Sequence, residues 1–144
     1  MWLKFSYLKV FIFYVIISYQ KGCKMEYKLW YNENCSKSKE AKKILDDNNI
    51  EYEILNYLEE PLNRQLLLNL IMNLNGEAFN LIRFKESGVS TQGKINKMSV
   101  SDIIELIINN PECLQRPIVQ NLKGGRNFIA RPTSIIFSQL NIKQ

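Results

Sequence analysis

The feature that most limits the fold is a hydrophobic period that changes twice just after Met25. Tyr27 to Tyr31 is rich in aromatic residues and reads as a strand. Ser36 to Asn48 places Ala41, Ile44 and Leu45 at helical spacing and stops at Asn48-Asn49. Glu51 to Tyr57 alternates Glu51 and Glu53 with Tyr52 and Ile54, so it reads as a second strand. A strand, a helix and a strand in succession predict an α/β sheet with helices packed on it.

Downstream the pattern turns helical. Pro61 introduces Asn63 to Leu74, with Leu66, Leu67, Leu70, Ile71 and Leu74 on one side and Asn75-Gly76 as the stop. A shorter helical piece is expected over Glu77 to Arg83, and a loop over Phe84 to Met98, which contains Gly88 and Gly93. Ser99 opens another helix with Asp102 three residues on, a variant of the capping box. Ile103, Ile104, Ile107 and Ile108 form its apolar face, and Asn109-Asn110-Pro111 closes it. Ile118 to Asn121 and Arg126 to Ala130, separated by Lys123-Gly124-Gly125, predict a hairpin. Pro132 suits a first helical turn, and Ser134 to Leu140 completes a final helix. The predicted order is βαβ, three helices, then ββα.

A chain of 144 residues is long enough for one domain with its own core. It contains no histidine, which excludes a His-based zinc site, a Cys-His pair and a Ser-His-Asp triad within the chain. Three cysteines, at positions 23, 35 and 113, are too few and too scattered for a disulfide framework or a four-thiolate metal site. A reducing compartment is the simpler reading. The net charge is +5, but residues 1–24 hold Lys4, Lys9, Lys21 and Lys24 and no acid, so the chain from Met25 onward carries only +1. That balance gives no reason to expect a nucleic acid partner.

Residues 1–24 form a basic, apolar leader with three readings: a membrane anchor, a cleaved signal, or an artefact of the start site, with translation beginning at Met25. The run from Val10 to Tyr19 is short for a spanning helix, and Gln20-Lys21-Gly22 lacks a small-x-small cleavage pattern. A start at Met25 implies a cytoplasmic protein, and an anchor implies a membrane-associated one. Residues 25–144 are then the folded domain.

Two places could carry chemistry. Cys35 lies directly after the first strand and directly before the first helix, in Tyr31-Asn32-Glu33-Asn34-Cys35-Ser36-Lys37-Ser38-Lys39. There the free amides of Ser36, Lys37 and Ser38 would point toward the sulfur, and the positive end of the helix dipole would favour thiolate. A cysteine so placed can have its pKa lowered from about 8.5 into a range of roughly 3.5 to 7.5. The Ser38 hydroxyl could add a hydrogen bond. The competing reading is a small inert residue at a helix start. Cys113 follows a helix end and reads as an apolar filler, or as a thiol that resolves a disulfide with Cys35.

The second place is the arginines. Lys occurs fourteen times and Arg five times, at 64, 83, 116, 126 and 131. Where Lys is the habitual basic residue, a retained Arg points to a need for the planar, bidentate fork. Two of the five precede proline, in Arg116-Pro117-Ile118 and Arg131-Pro132-Thr133. Taken singly, each also reads as a solvated charge beside a turn.

Together, the strand ending in N-x-x-C-S-K-S-K, the N-L-I-R segment at Arg83, the L-Q-R-P-I-V segment at Arg116 and the R-P segment at Arg131 resemble the arsenate reductase ArsC family, in its glutathione- and glutaredoxin-linked branch. The resemblance runs from about Tyr27 to Leu140. It implies a thioredoxin-like fold with a mixed four-stranded sheet and a helical insertion, Cys35 as the nucleophile that attacks arsenate, and Arg116 and Arg131 as holders of the oxyanion. Ser36, Lys37 and Ser38 would contribute to that binding. Arg83 would stabilise the arsenylated cysteine, and Pro117 would be the cis proline that shapes the site. It further implies a monomer with no bound cofactor, glutathione as co-substrate and glutaredoxin as partner.

Three positions depart from the family pattern. Tyr31 stands where many members carry histidine, Glu33 where proline is common, and Lys39 where arginine is usual. A glutathione-dependent thiol oxidoreductase with another substrate therefore stays open. So does an Spx-like regulator that binds RNA polymerase, which shares the fold and the R-P-I pattern. That group usually carries a C-x-x-C switch, and here the second position is Ser38.

Overall fold

The protein is described over residues 25–144, from a computed structural model. The basic leader lies outside the described residues. Four strands form one sheet: β1 (Tyr27–Tyr31), β2 (Tyr52–Asn56), β3 (Ile118–Asn121) and β4 (Phe128–Ile129), in the spatial order β2-β1-β3-β4. β1 and β2 run parallel with Tyr31 opposite Asn56, whereas β3 is antiparallel to β1 and β4 to β3. The sheet is mixed and four-stranded, and the architecture is thioredoxin-like.

Side chains alternate across each strand. On one face Leu29 and Val119 meet Ala41 and Leu45 of helix α1 (Ser36–Asp47) and Ile136 of helix α5 (Ile135–Gln139). On the other face Trp30, Leu55 and Ile118 meet Leu67 and Leu70 of α2 (Arg64–Met72), and Ile103, Ile104 and Ile107 of α4 (Val100–Asn109). Two apolar layers therefore clamp the sheet, and the indole of Trp30, inside the second layer, donates to Gln120 Oε1 at 3.0 Å. A buried indole N–H needs such an acceptor.

Local chemistry accounts for the helix boundaries. Asn63 caps α2 by accepting the Leu66 amide at 2.9 Å. Ser99 and Asp102 form a reciprocal capping box on α4, with Ser99 Oγ accepting the Asp102 amide and Asp102 accepting the Ser99 amide. Among the described residues, no helix is long and apolar enough to cross a membrane.

The structure departs from the sequence-based expectations in four places. Phe84 to Met98 is not a plain loop: it holds a 3-10 turn at Phe84–Glu86 and a short helix, α3 (Gln92–Ile95). Ser87 Oγ fixes the turn by donating to the Phe84 carbonyl and accepting the Val89 amide, and Ile95 is fully buried. The helical piece expected over Glu77 to Arg83 contracts to a 3-10 turn at Ala78–Leu81. The second hairpin strand also shortens, because the Asn127 backbone pairs with Asn73 and Asn75 just after α2 rather than with β3. The Asn127 side chain bonds the Asn121 amide and the Leu70 carbonyl at the end of α2. Finally, Pro132 does not begin a helix. It follows a cis Arg131-Pro132 bond, and α5 starts three residues later.

Candidate active site

The site forms where β1 ends. Asn32 organises the turn that follows: its carbonyl accepts the Cys35 amide at 3.0 Å, and its Oδ1 accepts the Asn34 amide at 2.9 Å. Its own amide donates to Ser38 Oγ at 3.3 Å. This folds the chain back so that Cys35 becomes the N-cap of α1.

The Cys35 side chain makes no standard capping bond, and its sulfur is partly buried. Burial alone would raise the thiol pKa. The Ser38 amide and hydroxyl, the Lys37 amide and the Arg116 guanidinium oppose that effect, and together they bring the pKa down to about 7. The thiol then titrates in the neutral range, in a chain without histidine. Ser36 is exposed at the first helical position, and the Lys37 ammonium is taken by Glu40 at 2.7 Å. Lys37 therefore serves the sulfur with its backbone rather than its charge.

Both arginines that precede proline converge on this sulfur. Arg131 Nη2 lies 4.0 Å from Cys35 Sγ, and Arg131 Nε donates to the Arg116 carbonyl at 2.7 Å. The Arg116-Pro117 bond is cis, as expected from the resemblance, and Ala130 donates to the Pro117 carbonyl at 2.9 Å. Arg116 Nη1 donates to Tyr57 Oη at 3.4 Å and to the Glu112 carbonyl at 3.3 Å, with the Glu112 carboxylate 3.7 Å away. Its Nε is buried and has no hydrogen-bond partner.

Arg83 is held differently. Its guanidinium pairs with Glu86 at 2.6 Å, and its amide donates to the Cys113 carbonyl at 2.6 Å. Of the three arginines singled out from the sequence, two reach the sulfur in this structure, and the third is committed to an ion pair. Cys113 is a free thiol fully buried in the larger apolar layer, and burial pushes its pKa up to about 11. It packs among the apolar side chains of that layer. Tyr31, at the position where histidine is common, packs against the α1 and α5 layer. Glu33 is exposed in the turn.

Sequence reading missed the residues that hold these groups in place. Tyr57 follows β2, and its hydroxyl meets Arg116 only because β2 lies parallel to β1. The Thr133 hydroxyl donates to the Glu40 carboxylate, which ties the segment after Arg131 to α1. Neither contact leaves a local signal, since the partners are 59 and 93 residues apart.

The ArsC family model matches residues 30–134. Among similar proteins, YfgD of Escherichia coli strain K12 is 33% identical over 108 residues, 73% of this chain and 88% of that protein. An arsenate reductase of Neisseria meningitidis serogroup B is 30% identical over 109 residues, 74% of this chain and 92% of that protein. A solved arsenate reductase from Vibrio cholerae superposes with a TM-score of 0.63 at 23% identity, covering 83% of this chain and 98% of that one, a likeness of fold. The matched residues include the end of β1, the Cys35 turn, the other three strands and both Arg-Pro segments, and the chain belongs to the ArsC family.

Proposed function

We propose that this protein is an arsenate reductase-type oxidoreductase in which the Cys35 thiolate attacks an oxyanion held by Arg116, Arg131 and the first amides of α1. The observation that carries this reading is the convergence of two guanidinium groups on one partly buried sulfur at a helix N-terminus. Arsenate carries one to two negative charges near pH 7. Preorganised cationic donors and helix amides stabilise both that charge and the charge that develops on its oxygens during attack.

In the first step a sulfur–arsenic bond forms and an arsenic–oxygen bond breaks, the oxygen leaving as water after protonation. Reduction of As(V) to As(III) takes two electrons, so two thiols must end as one disulfide. Cys35 is one of them. With Cys113 buried and protonated, the second is an external thiol, for which glutathione is the proposed co-substrate. The resulting mixed disulfide is then reduced by glutaredoxin. Arg83 takes part only if its pair with Glu86 opens. An Spx-like redox switch needs a second thiol at position 38, where buried Ser38 accepts the Asn32 amide.

The test is arsenate-dependent NADPH oxidation coupled through glutathione reductase, glutathione and glutaredoxin, on the full chain and its Cys35→Ser variant. The variant is expected to lose the arsenate-dependent rate. Equal rates for the two would remove the assigned role, and a native rate with another oxyanion but not with arsenate would reassign the substrate.

A further inference from the structure

Arg116 can serve the site only if its guanidinium is aimed at the sulfur, and its Nη1 is shared between two sides, Tyr57 and Glu112, whose carbonyl already accepts from it at 3.3 Å. The Glu112 carboxylate, 3.7 Å away on a largely exposed side chain, draws it toward solvent. The Tyr57 hydroxyl draws it inward, accepting from Arg116 Nη1 at 3.4 Å. Tyr57 is 1% exposed and packed in the same apolar layer as Trp30 and Ile118, so its ring is fixed by β2 and its hydroxyl cannot follow a moving partner. A buried phenol needs polar partners, and those facing this one are Arg116 and the side chain of Asn32, the residue that shapes the Cys35 turn.

Resting on the function proposed above, we infer that Tyr57 is a positioning residue: its buried hydroxyl is the inward anchor that holds the Arg116 guanidinium against Cys35. Tyr57 itself touches neither the sulfur nor the oxyanion. Its effect passes through Arg116, so it disappears when Arg116 is gone.

The experiment follows iodoacetamide labelling of Cys35 in the full chain by peptide mass spectrometry, across pH and with arsenate as protectant. Losing one hydrogen bond to a charged group is expected to weaken arsenate protection roughly tenfold in Tyr57→Phe. The pH–rate profile of labelling is expected to move to higher pH. In an Arg116→Gln background the same Tyr57→Phe change is expected to alter protection less than about twofold, since the coupling is removed. Native protection in Tyr57→Phe, or an equal loss in both backgrounds, overturns the inference. Unchanged protection in Arg116→Gln alone would instead overturn the oxyanion-holding role on which it rests. Should Tyr57→Phe fail to fold, side-chain nitrogen NMR of Arg116 in the native protein decides. Slow rotation of its Nη groups is expected, and a freely rotating guanidinium would refute the positioning role.

Discussion

Ser38→Ala tests how a thiol is activated in a chain without histidine. Ser38 is fully buried, and its hydroxyl both faces the Cys35 sulfur and accepts the Asn32 amide at 3.3 Å. A hydrogen bond to a charged group contributes about 1.5–3 kcal/mol, which is about one to two pKa units. Starting from about 7, the Cys35 pKa is expected to rise to roughly 8 or above. At pH 7 the thiolate fraction then falls from about one half to about a tenth or less. A more basic thiolate is also the better nucleophile, by roughly threefold per unit at a Brønsted slope of about 0.45, so a rate measured at pH 7 alone falls only about twofold. The full pH profile of alkylation is therefore the assay, with peptide mapping to separate Cys35 from Cys23 and Cys113. The orphaned Asn32 amide adds a stability loss of about 1–3 kcal/mol, read by urea unfolding. A Ser38→Ala profile superimposable on that of the native protein would refute this account of activation.

Other perturbations follow from the same geometry. In Arg131→Lys the charge stays but the fork that spans the Arg116 carbonyl and the sulfur is lost, so arsenate protection of Cys35 is expected to weaken by roughly tenfold; unchanged protection would make Arg131 a bystander. The two described thiols should act on stability with opposite signs. Cys35 has a folded pKa of about 7, below the reference value of 9.0, so the unfolded chain binds more protons between these values. Stability gained from Cys35 is complete above about pH 9 and lost as pH falls toward 7, and Cys35→Ser should flatten that slope. Cys113, raised to about 11, works the other way: the unfolded state ionises first above pH 9, and Cys113→Ala should remove a stability loss there. Ser99→Ala breaks the capping box of α4 and should cost about 1 kcal/mol, or roughly 4 °C in melting temperature, with Cys35 labelling unchanged.

What could be read in advance followed from interactions between near neighbours in sequence. The periodicity placed β1, α1 and β2 to within a residue or two, and Ser99 and Asp102 located the start of α4, because strand alternation, helical spacing and capping are local effects. The length of the second hairpin strand, by contrast, is governed by a partner far along the chain. Asn127 shortens β4 by pairing with Asn73 and Asn75 just after α2, and no local preference encodes that contact.

The candidate site divides along the same line. Sequence by itself determined that Cys35 sits between a strand and a helix, and that two scarce arginines precede proline. Both are properties of adjacent residues. Tertiary structure alone decided that Arg116 and Arg131 share the sulfur while Arg83 is paired with Glu86, and that Cys113 is buried. It also decided that a tyrosine after β2 braces the arginine. The physical reason is the parallel register of β1 and β2, together with the antiparallel β3. That arrangement brings the ends of separate segments together at one end of the sheet, past the C-termini of β1 and β2, where charge and burial act through space rather than along the chain.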